Sequence, residues 1–203
     1  MKPGQKFRNA LKNNKPLIIP GTVNAYSAKL AELANHNSIY LSGSGVAAAS
    51  YGLPDLGVTT LENVLIDAKR ITSATSLPLL VDIDTGWGDF DAISNTIIEM
   101  GNANVAAVHI EDQIFDKRCG HRPNKQLVSI DEMQDRLKAA LDAKIDDSFF
   151  IMARTDALAS EGIEKAIERC GKYLDVGADG IFFEAVVSIE EYKEFKNNFS
   201  APL

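Results

Sequence analysis

Six short apolar runs alternate along the chain with stretches of helical periodicity. The runs lie near Leu17–Pro20, Ser38–Ser42, Leu79–Asp84, Val105–Glu111, Phe149–Arg154 and Gly180–Glu184. They are nearly continuous in Ile, Val, Leu and Phe, which predicts strands of a parallel sheet covered on both faces. The helical stretches carry start signals in which a hydroxyl caps a free N–H and an acid three residues on reaches back: Thr59 with Glu62, Ser129 with Glu132, Ser188 with Glu191. Gly101 and Gly177 are placed to end helices before the next strand. No linker or low-complexity segment interrupts the alternation, so residues 1–203 are expected to form a single domain.

Six such units, with a seventh strand starting at Pro202-Leu203, predict an α/β fold of the (β/α)8 TIM-barrel type. A full barrel takes about 250 residues, so the expectation is a barrel that stops after about six units, its C-terminal strands and helices missing. An open doubly wound sheet is the alternative. It usually carries a Gly-rich phosphate fingerprint after the first strand, which Pro20-Gly21-Thr22-Val23-Asn24 does not supply.

Composition narrows the function classes. A net charge of −7 opposes a general nucleic-acid surface, which needs a clustered cationic field. No apolar run approaches the roughly 20 residues of a membrane span. The polar start Met1-Lys2-Pro3-Gly4-Gln5-Lys6 does not read as a secretory leader, and the two cysteines stand far apart, so a cytoplasmic protein with free thiols is expected.

The candidate chemistry lies where the strands end, the position of active sites in parallel barrels. Asp82 and Asp84 are spaced by two, which on an extended strand puts both on one face. Two like charges there call for a cation, and hard oxygen donors without His or Cys nearby point to Mg²⁺ or Mn²⁺. The plainer reading is that one acid caps a helix and the other is solvated. Glu111 on the next strand and Asp55 in Gly52-Leu53-Pro54-Asp55 strengthen the metal reading. Ser42-Gly43-Ser44-Gly45 is either a flexible turn or a place where backbone N–H groups approach a carboxylate. Lys117-Arg118-Cys119-Gly120-His121-Arg122-Pro123 sets a thiol among basic residues, surroundings that favour proton transfer or nucleophilic attack, unless the loop is merely solvated. Cys170 falls on a helical apolar face with Ile163, Ala166, Ile167 and Leu174 and reads as an inert core residue. His36 reads as a surface residue near a helix end, and Trp87 as either shaping the site mouth or covering the rim.

Five segments, in this order and spread over almost the whole chain, resemble the isocitrate lyase and phosphoenolpyruvate mutase superfamily. They are Ser42-Gly43-Ser44-Gly45-Val46-Ala47, Leu80-Val81-Asp82-Ile83-Asp84-Thr85-Gly86, His109-Ile110-Glu111-Asp112-Gln113, Lys117-Arg118-Cys119-Gly120-His121 and Met152-Ala153-Arg154-Thr155-Asp156-Ala157. The form of the Cys-Gly-His loop resembles the methylisocitrate lyase branch. The resemblance implies Mg²⁺ on Asp82 and Asp84, with Asp55 and Glu111 holding its waters. It also implies substrate contacts from Ser42, Gly43, Ser44, Cys119, Gly120, Arg154 and Glu184, and catalytic roles for Cys119, Tyr40 and His121. Cleavage of a di- or tricarboxylate substrate by a homo-oligomer, a tetramer in the family, would follow. Family members continue with further strands and a helix exchanged between subunits. Isocitrate lyase chemistry, another 2-hydroxy or 2-oxo acid enzyme of the superfamily, and a non-catalytic partial barrel are the competing expectations.

Overall fold

The computed structural model describes residues 1–203. Five strands, β1 (Ile39–Leu41), β2 (Leu79–Asp82), β3 (Ala107–Glu111), β4 (Phe150–Thr155) and β5 (Gly180–Phe183), form one sheet. The helices are α1 (Pro3–Asn13), α2 (Ala25–Leu33), α3 (Gly43–Tyr51), α4 (Leu61–Ala74), α5 (Phe90–Asn102), α6 (Ile130–Asp142), α7 (Leu158–Glu161), α8 (Ile163–Val176) and α9 (Ile189–Asn198). Every strand pair is parallel, and the spatial order is β1-β2-β3-β4-β5, the same as the order in sequence. A doubly wound sheet reverses direction at a switch point; this one does not, so the winding is that of a (β/α) barrel.

The run at Leu17–Pro20 is not a full strand. It contributes one parallel bridge, Gly21 to Tyr40, in which the Tyr40 N–H donates to the Pro20 carbonyl at 3.0 Å. At the other edge the Ile181 N–H donates to the Pro202 carbonyl at 2.9 Å, where the next strand was expected to start.

Strand parity divides the protein. Ile39, Leu41, Val81, Ile83, Val108, Ile110, Ile151 and Ala153 are buried against helix residues such as Val64, Ile93, Ile97 and Leu137. The alternate positions Leu80, Ala107, Phe150 and Met152 form a second, smaller core on the opposite face. There α1 inserts Phe7, which meets Phe150 edge-on at 5.2 Å between ring centres. Burying one such side chain contributes roughly 1.5–3 kcal/mol. Gly4 lets α1 approach this closely, since a Cβ would overlap the Ser148 carbonyl. No helix is long and apolar enough to cross a membrane.

Three of the helix-end expectations are corrected. The cap of α4 is Thr60 with Asn63, not Thr59 with Glu62. Thr59 is buried, and its carbonyl accepts from Trp87 Nε1 at 2.9 Å, which pushes the helix start one residue on. Gly101 lies inside α5, and Asn104, at φ 58°, takes the left-handed turn that follows. Ser188 and Gly177 cap as expected, whereas Ser129 accepts from the Glu132 N–H but Glu132 does not reach back, its carboxylate pairing with Arg136 instead.

Candidate active site

The face that carries Leu80 and Met152 near the strand starts carries charge near the strand ends. Asp82 and His109 are register partners on β2 and β3, and Glu111 and Arg154 on β3 and β4. All four are buried. Potential ligand oxygens of Asp82, Asp84 and Glu111 lie within 4.8 Å of one another.

Asp84 is not on the strand, contrary to the expectation of two acids alternating along it. β2 ends at Asp82, and Asp84 stands two residues later at φ 48°, in the left-handed region. Its N–H donates to Asp82 Oδ1 at 3.1 Å, which turns the chain back on itself and returns the second carboxylate to the first. A non-glycine residue held there costs of order 1–3 kcal/mol, and such strain collects at functional sites.

Ser42-Gly43-Ser44-Gly45 is no flexible turn. Ser42 is the N-cap residue of α3, and Gly43 to Gly45 form the first helical turn. The Gly43 N–H donates to Asp82 Oδ2 at 3.1 Å, and a Cβ at Gly43 would come within 3.3 Å of both Asp82 and Asp84. The helix thus points its free N–H groups at the acid pair. The Ser42 and Ser44 hydroxyls are 2.9 Å apart at the mouth.

Cations approach from two sides. Lys117, buried although it belongs to a loop, places Nζ 2.8 Å from Asp55 and 2.5 Å from Asp84. Its acidic neighbours Asp84, Glu111 and Asp82 outweigh its desolvation and hold its pKa above the ordinary lysine value. Arg154 donates from Nε and Nη2 to Asp156 at 2.9 and 3.2 Å and lies 3.3 Å from Glu111 and 3.6 Å from Glu184.

Burial would raise Asp82, but His109, Arg154 and Lys117 hold its pKa below the ordinary aspartate value. Burial and the neighbouring Asp82 push Asp84 up to about 6. Burial raises Glu111 well above the ordinary glutamate value. Both Glu111 oxygens and Asp84 Oδ1 are buried without an aligned hydrogen-bond donor, although Lys117 stands against Asp84 and Arg154 against Glu111. Buried carboxylate oxygens in that condition suit a divalent cation with a preference for hard oxygen donors.

Tyr40 and His109 form the floor. Tyr40 Oη lies 2.9 Å from His109 Nε2, and the imidazole stacks between Tyr40 and Phe182 at centroid distances of 5.7 and 5.0 Å. Desolvation lowers the pKa of His109 to about 4, so the ring is neutral. Desolvation and Asp82 raise Tyr40 well above the ordinary tyrosine value. Beside this floor opens an apolar cleft of about 380 Å³, lined in part by Leu17, Ile19, Leu80, Met152 and Phe182.

Cys119 is half-buried on the loop after β3. Its neighbour Gly120 packs so closely on Glu184 that a Cβ there would meet the carboxyl group at 2.5 Å. His121, largely exposed, lies 3.5 Å from the same carboxylate. The cluster of basic side chains expected around the thiol is therefore dispersed: Lys117 serves Asp55 and Asp84, and His121 faces Glu184. Asp55 reaches the centre only through Lys117. Cys170 is fully buried with its thiol pushed up to about 12 by desolvation, as its position on the α8 core face implied. Lys117 and His109 were missed as site residues. His109 shares its strand face with Glu111, a parity signal that could have found it, whereas nothing local in sequence points Lys117 at Asp84.

The likenesses to known proteins agree with this geometry. A family model described as phosphoenolpyruvate phosphomutase matches residues 7–203. A 2-methylisocitrate lyase of Shewanella oneidensis is 60% identical over 200 residues, covering 98% of this chain and 68% of that protein. The 2-methylisocitrate lyase of Vibrio cholerae is 57% identical over 195 residues, covering 96% of this chain and 63% of its own length. The crystal structure of a 2,3-dimethylmalate lyase superposes with a TM-score of 0.92 at 34% identity, over 98% of this chain and 68% of that one. The chain thus spans about two thirds of the proteins it matches, and across that span it belongs to the phosphoenolpyruvate phosphomutase family of the PEP mutase/isocitrate lyase superfamily.

Proposed function

We propose that the protein acts as a magnesium-dependent carbon–carbon lyase that cleaves 2-methylisocitrate to pyruvate and succinate, with Mn²⁺ as the other fitting ion. The observation that carries this reading is the 60% identity to a 2-methylisocitrate lyase over nearly the whole chain. The buried acids Asp82, Asp84 and Glu111 supply the hard oxygen donors such a reaction needs. The working protein is a cytoplasmic homo-oligomer that acts on small carboxylates and neither binds nucleic acid nor enters a membrane.

When bound, Mg²⁺ would supply Lewis acidity beside the substrate hydroxyl and its adjacent carboxylate. Asp82 and Asp84 would hold the ion with Glu111 beside them, and Asp55 would bear on the centre through Lys117. The Gly43 end of α3, with Ser42 and Ser44, meets the pyruvyl carboxylate through backbone N–H and hydroxyl donors. Tyr40, in contact with His109, lies beside the substrate hydroxyl and assists removal of its proton. When the carbon–carbon bond breaks, its electron pair stays on the succinyl fragment as an aci-carboxylate. The Cys119 thiol delivers the proton that completes succinate. Arg154, whose Nη1 is not engaged by Asp156 or the glutamates, neutralises a substrate carboxylate, and Gly120 and His121 bring the loop's polar groups to the same end of the site.

The test is a coupled assay for pyruvate and for glyoxylate, offering 2-methylisocitrate or isocitrate with Mg²⁺, with and without EDTA. Pyruvate from 2-methylisocitrate, abolished by EDTA, is the expected result. Glyoxylate from isocitrate at an equal or higher rate would reassign the substrate, and no product from either would overturn the reading.

A further inference from the structure

Between β3 and α6 the chain runs for 18 residues, Asp112 to Ser129, without a regular element, and it carries Cys119. Three ties fix it. At the base, Gln113 forms an isolated antiparallel bridge with Leu127, and its side-chain amide exchanges hydrogen bonds with the Arg118 carbonyl and N–H at 2.9 and 3.0 Å. Next along, Lys117 reaches Asp55 and Asp84.

The third tie is Lys125, which belongs to none of the groups discussed so far. Its side chain is 2% exposed, and Nζ donates to the Gly120 carbonyl at 2.5 Å and to Asp156 Oδ1 at 2.9 Å. Asp156 is itself fully buried and is the carboxylate that receives Nε and Nη2 of Arg154. The Asp156 backbone N–H donates to Asp112, at the root of the same loop. Arg154 and Lys125 together hold the Asp156 carboxyl below the ordinary aspartate range, against its desolvation. A buried ammonium is costly unless its N–H groups find acceptors, and here the acceptors are a loop carbonyl and the guanidinium's own anchor. Without Lys125 the loop tip keeps the packing of Gly120 on Glu184 and, as a polar tie, the 3.5 Å contact of His121 with the same carboxylate, made by an imidazole that is 81% exposed.

We propose that Lys125 is a positioning residue: by joining Asp156 to the Gly120 carbonyl it holds Cys119 against the Arg154–Glu184 end of the site. One carboxylate thereby sets the orientation of both the guanidinium and the thiol-bearing loop. The consequence for turnover rests on the lyase reading; the consequence for the loop does not.

The experiment follows alkylation of Cys119 by iodoacetamide, read by mass of the modified peptide, in the parent and in Lys125→Met. Cys170 is fully buried, so it supplies an internal standard for unfolding. The expected result is alkylation of Cys119 at least tenfold faster in Lys125→Met, with Cys170 still protected. In the coupled assay kcat falls at least tenfold while KM changes less than threefold, because Asp156 still grips Arg154. Lys125→Arg, which keeps the charge against Asp156 without a single ammonium to span both acceptors, is expected to fall between the two. It serves as the test if Lys125→Met does not fold. Equal Cys119 alkylation in the parent and the folded variant overturns the proposal, whatever happens to turnover. Faster alkylation in the variant, when the parent itself turns over neither substrate, sinks the lyase reading and leaves the role of Lys125 standing.

Discussion

Replacing Glu111 by Gln separates a carboxylate that serves a cation from one that serves Arg154. Glu111 is fully buried, neither oxygen has an aligned donor, and Arg154 stands 3.3 Å away while making its two hydrogen bonds to Asp156. If Glu111 is there for a metal, the exchange removes a buried acid and spares the Arg154 anchor, so the metal-free protein loses nothing. With Mg²⁺ about a hundredfold above its dissociation constant, binding stabilises the parent by about 2.7 kcal/mol. Loss of a carboxylate that orients a metal or its waters typically costs ten- to a hundredfold in affinity, leaving about 0.4–1.4 kcal/mol of that stabilisation. For a protein of this size each kcal/mol is about 2–4 °C in Tm. Thermal unfolding at pH 8 should therefore show Mg²⁺ raising the parent by about 5–10 °C and Glu111→Gln by only about 1–5 °C. In EDTA the two should melt together or the variant higher. Equal Mg²⁺ shifts in both proteins would remove Glu111 from the metal centre. A variant weaker in EDTA by more than about 1 kcal/mol would show that its charge is structural and belongs to Arg154.

Two further outcomes follow from buried polar groups. The neutral His109 has its pKa lowered to about 4 by desolvation. As the pH falls below 6.5 the unfolded chain therefore takes up a proton that the folded chain refuses, and this contribution to stability, complete above 6.5, is lost toward pH 4. Urea unfolding in EDTA should show the stability difference between His109→Gln and the parent moving toward the variant by about 3 kcal/mol from pH 7 to pH 4; a difference independent of pH refutes it. Tyr173, fully buried, donates its hydroxyl proton to Asp112 at 2.8 Å, and Asp112 also receives the Thr155 hydroxyl and the Asp156 N–H. Tyr173→Phe removes one donor from a buried carboxylate and should cost about 1–3 kcal/mol in chemical denaturation, and a cost below about 0.5 kcal/mol would mean the network reorganises.

Much of this arrangement was legible in the sequence, for reasons that differ from residue to residue. β2 to β5 could be read because strands covered on both faces become apolar runs, and Asp82, Glu111 and Arg154 because an acid or base ending such a run has no packing reason to be there. Asp84 was right in identity and wrong in mechanism, since its return to Asp82 depends on a left-handed residue. Ser42 to Gly45 reads as either a flexible turn or an approach of backbone N–H groups to a carboxylate; its helical form is hidden because glycine is a poor helix former and the carboxylate that accepts from the Gly43 N–H, Asp82, lies 39 residues away. The pairings of Lys117 with Asp55 and of Lys125 with Asp156 were hidden for the same kind of reason. They join segments 62 and 31 residues apart, and a basic residue in a loop carries no local sign of the acid it will meet.

The sequential strand order also sets a schedule for folding. Each strand hydrogen-bonds only to its neighbours in sequence, so each new pairing closes a loop onto a strand already in place. Such moderate closures keep contact order low for a parallel sheet, and they can be completed in the order in which a ribosome delivers the chain. The acid pair and the α3 terminus that cradles it are complete once Asp84 has emerged after β2, whereas Arg154 and Glu184 arrive only with β4 and β5. The binding end of the site therefore assembles before the end that closes it.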